Sequence, residues 1–544
     1  MTALAPPEQP STRTTALLVQ RRRSRGVVGR VVPIVGLLTA WWVVALVAAP
    51  LRVIPTPWAV VAAFVDDLSV LPMNVGATLM NAAVGYLVGN AVAVLTAILF
   101  VQVPWTERVL LRIAVMSFCV PLVAITPILV VVFPGDVPKQ ILAGLSVLFT
   151  TLVSCLLGLR SVNGATVDLV RSMGGSDRVV LRKARLMAML PGLFAGLQIA
   201  APAAILGTIL GEYLGAARGL GVMLVQAQSS FQVPRTWAVA LTMSALAGLV
   251  YWAAGLIGRL ATPWVSRDVS TAVGQSIATA SGLRGGRSAL AGLLGLLGSL
   301  AVIVAVWWGA ILAFDLSPYF AKTPLDVVAF LFLDVSSGEN RAVILDGLAI
   351  TLRDAGVGYV IGTALACLVA VGIVMSTWVE RTVLPAAVVM RSIPLVAMTP
   401  LLALVFGRGL LGVTVIVSLV TFFPTLVSVA AALRAAPGVA CDVVVSMGGS
   451  TAMVTRKVRL LYALPAIFAS ARIAVPGAFA GATLAEWLAT GEGLGSMLVR
   501  DYAASRFSAL WSETVVVVAV AVALYAVVSV VERPVVKRFA LGQG

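Results

Sequence analysis

The chain has 544 residues, 60% hydrophobic and only 11% charged, with a mean hydropathy of +1.05; a soluble protein carries about 25% charged residues, so a soluble globular class is excluded. The formal net charge of +16 does not indicate nucleic acid, because the basic residues cluster between apolar runs, as anchoring in a membrane requires, and no basic, aromatic-interleaved face accompanies them. Histidine is absent and Cys119, Cys155, Cys367 and Cys441 show no paired spacing, which removes histidine-based triads and relays, most metal sites and a disulfide framework.

In chain order, residues 1–30 read as a disordered basic N-terminal tail that ends in the Arg21-Arg22-Arg23-Ser24-Arg25 cluster. The apolar run from Val31 to Ala49 is long and has no obvious cleavage site, so it reads as a retained first helix rather than a signal peptide. Apolar segments of spanning length follow near 75–101, 110–133, 140–158, 190–214 and 236–260, and again near 289–314, 346–375, 382–406, 409–433, 464–489 and 512–532. The expected architecture is an all-α polytopic membrane protein of about twelve helices. It divides into a first unit at 31–270, a cytosolic Gly/Ser/Arg linker at 271–288 and a second unit at 289–544. Thr56-Pro57-Trp58 and Thr323-Pro324-Leu325 each look like a helix start with proline in the first turn, placed along the outer face.

The two units are a duplication. VDLVRSMGGSDRVVLRKARLM from Val167 and CDVVVSMGGSTAMVTRKVRLL from Cys441 align with an offset of 446 − 172 = 274 from Ser172 to Ser446. That offset also carries Pro191 to Pro465, Glu212 to Glu486 and Gly219-Leu220-Gly221 to Gly493-Leu494-Gly495. Upstream the offset is 273, linking Thr78 to Thr351, Gly85-Tyr86 to Gly358-Tyr359, Pro121 to Pro394 and Pro127 to Pro400. Ordered Gly, Pro, Tyr and Glu matches rarely arise by chance, unlike runs of Val, Ala and Leu.

Charge sets the expected topology. In the first unit, eighteen Lys and Arg fall in the proposed cytosolic segments and their edges, against Arg52, Lys139, Arg218 and Arg235 outside. The second unit is less one-sided, with Arg341, Arg408, Arg500 and Arg506 outside. Six spans return each unit to the cytosol, so the repeats are parallel. Both chain termini and both Ser-Met-Gly-Gly-Ser elbows then face the cytosol at the plasma membrane.

Each elbow reads as two short helices broken at Gly174-Gly175 or Gly448-Gly449, where a Cβ would resist the turn; Ser176 and Ser450 are placed to cap the second helix. Val167, Val170 and Met173 form an apolar ridge at helical spacing, suited to binding in a partner's groove. Arg182, Lys183 and Arg185 would hold the second helix at the membrane surface. The competing reading is an interfacial helix lying on lipid headgroups.

Asp168, Gly174 and Leu186, with Asp442, Gly448 and Leu460, resemble the EAA loop of ABC-importer permeases. The surrounding Gly-Gly-Ser, Arg-Lys, Leu-Pro and Gly-Leu-Gly words resemble the nitrate, sulfonate and taurine permease group, which also includes permeases for pyrimidine vitamin precursors. The resemblance covers nearly the whole chain, twice. Its departures are Asp for the usual Glu, Leu169-Val170 and Val443-Val444 for the alanines, and Met187 or Leu461 for the later proline. The resemblance implies a type I-like importer fold, here a fused pseudo-dimer forming the whole solute pathway. It implies an ATPase dimer docked on coupling helices around Val167, Asp168, Val170, Met173, Gly174, Gly175, Ser176, Asp442, Val443, Met447, Gly448, Gly449 and Ser450. It also implies an extracytoplasmic substrate-binding protein and a small solute. No G-x-x-x-x-G-K-[ST] motif occurs, so no cofactor is assigned to this chain, and ATP with magnesium belongs to the partner.

Candidate pathway or gate residues are Glu212, Glu486, Arg391, Arg472, Pro121, Pro127, Pro394 and Pro400. An acid within a span is a functional candidate by default; the alternative is a carboxylate bonded to nearby backbone as a structural latch. The arginines, which face Phe118 and Gln198 in the other unit, either favour an anionic solute or snorkel to headgroups. The prolines kink or break helices, as lining residues or as plain packing. An ion-gradient-driven secondary transporter is the alternative function; a membrane enzyme lacks any catalytic constellation.

Overall fold

In this computed structural model the described residues are 35–264, 289–383 and 395–539, apart from positions 37, 48, 52, 377 and 381. The first unit runs α1 (Leu38–Val47), α2 (Pro57–Asp66), α3 (Leu71–Gln102), α4 (Pro104–Cys119), α5 (Leu122–Val132), α6 (Val137–Arg160), α7 (Gly164–Ser172), α8 (Asp177–Gly215), α9 (Leu220–Ser229) and α10 (Val233–Ala261). The second runs α11 (Ala289–Ala313), α12 (Pro324–Leu333), α13 (Ser337–Met375), α14 (Leu395–Phe406), α15 (Leu410–Arg434), α16 (Gly438–Ser446), α17 (Thr451–Thr490), α18 (Gly493–Ala503) and α19 (Phe507–Phe539). Among the described residues eight helices are long and apolar enough to cross a membrane, and α4 with α5 makes a ninth, bent by 95°.

Three features depart from the expected spans. The third span is broken because Val120 is extended (φ −71°, ψ 120°) before Pro121, the conformation that a following proline ring imposes. The elbow's second half is not a separate surface helix: it is the start of the fifth span, reached through five π-helical residues, Leu181–Arg185 and Thr455–Arg459. The segments after Gly-Leu-Gly form extra helices, α9 and α18, with Leu220, Leu224, Leu494 and Leu498 buried.

Small residues set the helix packing, since lipid offers no hydrophobic drive between spans. A Cβ on Gly85 would stand 2.4 Å from the Gln140 carbonyl oxygen, and one on Gly89 2.5 Å from that of Gly144, so α3 and α6 meet backbone to backbone. In the second unit Gly362 brings α13 against the Ser418 backbone of α15, and Gly358 makes room for the Val417 side chain. The tyrosine beside each first glycine then reaches the fifth span: Tyr86 donates to the Leu197 carbonyl at 3.0 Å and Tyr359 to that of Ala471 at 3.2 Å.

The units interlock. Ala124 and Ile128 of α5 are buried in the second unit's core, and Leu484, Trp487 and Leu488 of α17 enter the first unit's. Thr514 donates to the Ala124 carbonyl at 3.1 Å, Tyr502 to that of Leu214 at 3.4 Å, and Tyr213 meets Trp487 edge-on at 6.1 Å.

Candidate functional site

Each elbow is built by its glycines. In the first, Met173 ends α7 and Gly174 takes φ +81°, with its N–H donating to the Arg171 carbonyl and that of Gly175 to Val170, both at 2.9 Å. The second repeats this: Gly448 has φ +79° and donates to Val445, and Gly449 donates to Val444, both at 2.9 Å. This pair of reversed bonds is a Schellman turn. A Cβ on Gly175 or Gly449 would lie 2.6 Å from the accepting carbonyl, so both glycines are required. Ser450 caps the next helix, accepting from the Met453 N–H at 3.4 Å; Ser176 holds the same position and backbone without a side-chain cap bond.

The apolar ridge falls on a different line from the one expected. Val167 and Val170 turn partly inward, as does Val444. The exposed line is Leu169 and Met173, 61% and 81% accessible, and Val443 and Met447, 52% and 82%. Spacing of four puts each pair on one helix face, with Asp168 and Asp442 also exposed. Around this shared strip the elbows differ. Arg171 pairs with Asp177 at 2.8 Å, which pushes the guanidinium up from its ordinary value through that hydrogen bond and charge. Val445 and Thr451 stand there in the second elbow.

Beside each elbow a matched ion pair ties the fourth span to the start of the third: Arg160 to Glu107 at 2.6 Å, and Arg434 to Glu380 at 2.9 Å. The sequence reading missed both pairs, although their 273- and 274-residue offsets were there to be found.

At the far end of the same fifth span, about 50 Å away at 1.5 Å per residue, sit Glu212 and Glu486. Glu212 is 1% accessible; one carboxylate oxygen accepts from the Thr78 hydroxyl and the other from the Gly221 N–H, both at 2.8 Å. Thr78 in turn accepts from the Leu220 N–H at 2.9 Å, and Asn74 from the Gly219 N–H at 2.8 Å. In the second unit Glu486 accepts from Thr351 at 2.9 Å and the Gly495 N–H at 2.8 Å, while Thr351 accepts from Leu494 at 3.0 Å. A Cβ on Gly219 or Gly493 would stand 2.3 Å from the carboxyl carbon. Each Gly-Leu-Gly therefore closes around a glutamate and satisfies the first N–H groups of α9 or α18, donors a helix leaves open. The repeat of Thr78 at Thr351 was visible in the sequence, but only the fold gives it this role.

Arg472 does not reach headgroups. It is 3% accessible, pairs with Glu532 at 2.8 Å and lies 5.7 Å from the Tyr525 ring centre. The first unit has Gln198 and Gly258 in place of that pair. Pro121 sits at the break before α5, Pro127 is buried within it, and Pro400 falls within α14; Arg391 and Pro394 lie outside the described residues.

Residues 69–271 and 358–539 both match the binding-protein-dependent transport system inner membrane component family. The chain belongs to that family. Among its relatives, a probable ABC transporter permease protein of Haemophilus influenzae is 32% identical over 40% of this chain and 91% of its own length. The formylaminopyrimidine transport permease protein ThiX of Halalkalibacterium halodurans is 27% identical, covering 42% and 92%. The taurine transport system permease protein TauC of Escherichia coli is 28% identical, covering 37% and 74%. Each relative thus answers to about one unit of this chain, which carries two. No solved structure matches it. The chain is a multi-pass membrane transport permease, and catalysis is not its role.

Proposed function

We propose that this chain forms the entire membrane pathway of an ATP-driven importer, with an ATPase dimer docked on the two elbows and a substrate-binding protein delivering solute to the opposite face. The observation that carries the reading is the repeated exposed strip, Leu169 with Met173 and Val443 with Met447, presented by two glycine-closed turns at a 274-residue offset. An exposed apolar pair on a short helix is what a partner's groove buries. In this reading the fifth span joins each elbow to its glutamate clamp, so motion at the elbow reaches the far face and the junction between units.

The elbows and both termini lie on the cytosolic side of the plasma membrane in this reading, and ATP with magnesium is held by the partner. The solute is a small organic or inorganic compound of the sulfonate, nitrate, taurine or pyrimidine-precursor class; the relatives' names print aliphatic sulfonates, taurine, formylaminopyrimidine and riboflavin.

The test is purification from native membranes with whatever ATPase the chain holds, followed by reconstitution in liposomes. Met173→Arg with Met447→Arg is expected to release the ATPase and to lower ATP-driven uptake at least tenfold, since buried interface anchors are worth about 2 kcal/mol or more. Uptake that persists without any ATPase under a proton or sodium gradient would instead establish a secondary transporter.

A further inference from the structure

After each elbow the chain enters the fifth span through a π-helical turn that carries three basic side chains: Arg182, Lys183 and Arg185, then Arg456, Lys457 and Arg459. The wider turn closes with the Leu186 N–H on the Leu181 carbonyl, and in the second unit with Leu460 on Thr455; such turns inside a helix recur at functional sites. In both units the first two basic residues are exposed and the third is half-buried. Leu181 and Leu186 pack on the core that holds Phe100, Leu159 and Met189. The cations between them therefore lie where the helix enters the body of the protein, not at the elbow's tip.

Their charge is not matched locally. Between Arg160 and Leu186 the acids are Asp168 and Asp177. Arg171 takes Asp177, and Arg160 takes Glu107 from the start of the third span. Arg178, Arg182, Lys183 and Arg185 then stand against Asp168 alone. In the second unit Arg434 takes Glu380, and Arg456, Lys457 and Arg459 stand against Asp442. None of the π-turn cations enters an ion pair among the described residues. Arg185 lines a cleft of about 280 Å³ together with Arg160 and Glu107, and Phe100, Leu159 and Val167 are among its apolar walls. Anchoring a span asks only for cations near the surface; it does not call for one half-buried beside apolar walls.

We propose that this cleft binds the phosphodiester headgroup of an anionic phospholipid, and that the second elbow repeats the site with Glu380, Arg434 and Arg459 at the matching positions. Basic pockets between spans hold lipid headgroups in this way. Arg185 supplies the unmatched charge. Arg160 adds guanidinium donors beyond the one spent on Glu107, since the group carries five. The apolar walls take the glycerol and the start of the acyl chains. Placement in the cytosolic leaflet rests on the function proposed above; the binding does not.

Native mass spectrometry of the full chain, purified in detergent without an ATPase, tests this. The chain is mixed with equal amounts of phosphatidylglycerol and phosphatidylcholine of the same acyl chains. Phosphatidylglycerol should be retained over phosphatidylcholine by about fivefold, the effect of one basic residue at a membrane surface. Arg185→Gln with Arg459→Gln should lower its retention about tenfold, the worth of one charge-assisted bond. Arg178→Gln with Arg182→Gln removes the same charge from exposed positions outside the cleft and should leave the preference intact. Glu107→Gln with Glu380→Gln frees Arg160 and Arg434 and should raise retention, which tests the site even if the arginine variant proves unstable. No preference for phosphatidylglycerol, an equal loss in the Arg178 and Arg182 variant, or no gain in the glutamine variant of the acids overturns the site. Displacement of the lipid by equimolar glycerol 3-phosphate, which has no acyl chains, would give the cleft to a soluble phosphate. If the Arg185 and Arg459 variant releases a co-purified ATPase while lipid retention stays unchanged, the cations serve the partner and the lipid site falls.

Discussion

At the residue scale the molecule depends on buried polar atoms whose partners are backbone N–H groups. Glu212 and Glu486 each bond a helix-starting amide and a threonine hydroxyl in a site closed to water. Removing the carboxylate leaves those donors buried without acceptors, which costs about 1–3 kcal/mol for each group. Glu212→Ala and Glu486→Ala should therefore lower the thermal midpoint in detergent, and Glu212→Gln, which keeps an acceptor, should lower it less; equal midpoints for Ala and Gln would remove the clamp from the account. A smaller effect belongs to Asp136, whose carboxyl is held below its ordinary range chiefly by the hydrogen bond from Lys139. A depressed carboxylate gives stability that is full above the unfolded value of about 3.9 and is lost as pH falls through the lower folded one. Asp136 is 61% exposed, so screening keeps the contribution small. Asp136→Asn should narrow the gap to wild type as the midpoint is followed down through that window.

At the element scale, glycine spacing decides which helices touch. Gly85 and Gly89 lie four apart on one face of α3, and Gly358 and Gly362 repeat this on α13; their missing side chains let the fourth span approach. Gly89→Val should prevent α3 from seating on α6, because even a Cβ meets the Gly144 carbonyl at 2.5 Å. Loss of the monodisperse peak in size exclusion is the expected result, and a normal peak with wild-type melting would show that the helices can separate. The elbow is the contrasting case. Its glycines face open space at Gly174 and Gly448 but hold a left-handed turn, a conformation costly for any residue with a Cβ. The repeated Met-Gly-Gly-Ser was legible as a turn because glycine and serine have few other joint uses. Which side chains the turn exposes was not legible: helical periodicity names a ridge, but the packing of Val167 and Val170 against the helix ends moved the exposed line to Leu169 and Met173.

At the scale of the whole molecule, the two units exchange core elements, α5 into one and the end of α17 into the other. That exchange predicts that the units hold together without the covalent link. A protease site placed within the linker, residues 271–288, should yield two fragments that co-elute as one complex in detergent after cleavage. Fragments that separate would show that the interlock is weaker than the tether.

The sequence by itself determined the class, the duplication and the two elbows, because these rest on apolar length, on ordered repeats and on glycines that admit few alternatives. Tertiary structure alone decided the partners. Thr78 lies 134 residues from Glu212, and Glu532 lies 60 from Arg472; no local pattern links such pairs, and in an apolar medium each polar group takes whichever partner the packing of separate helices brings near.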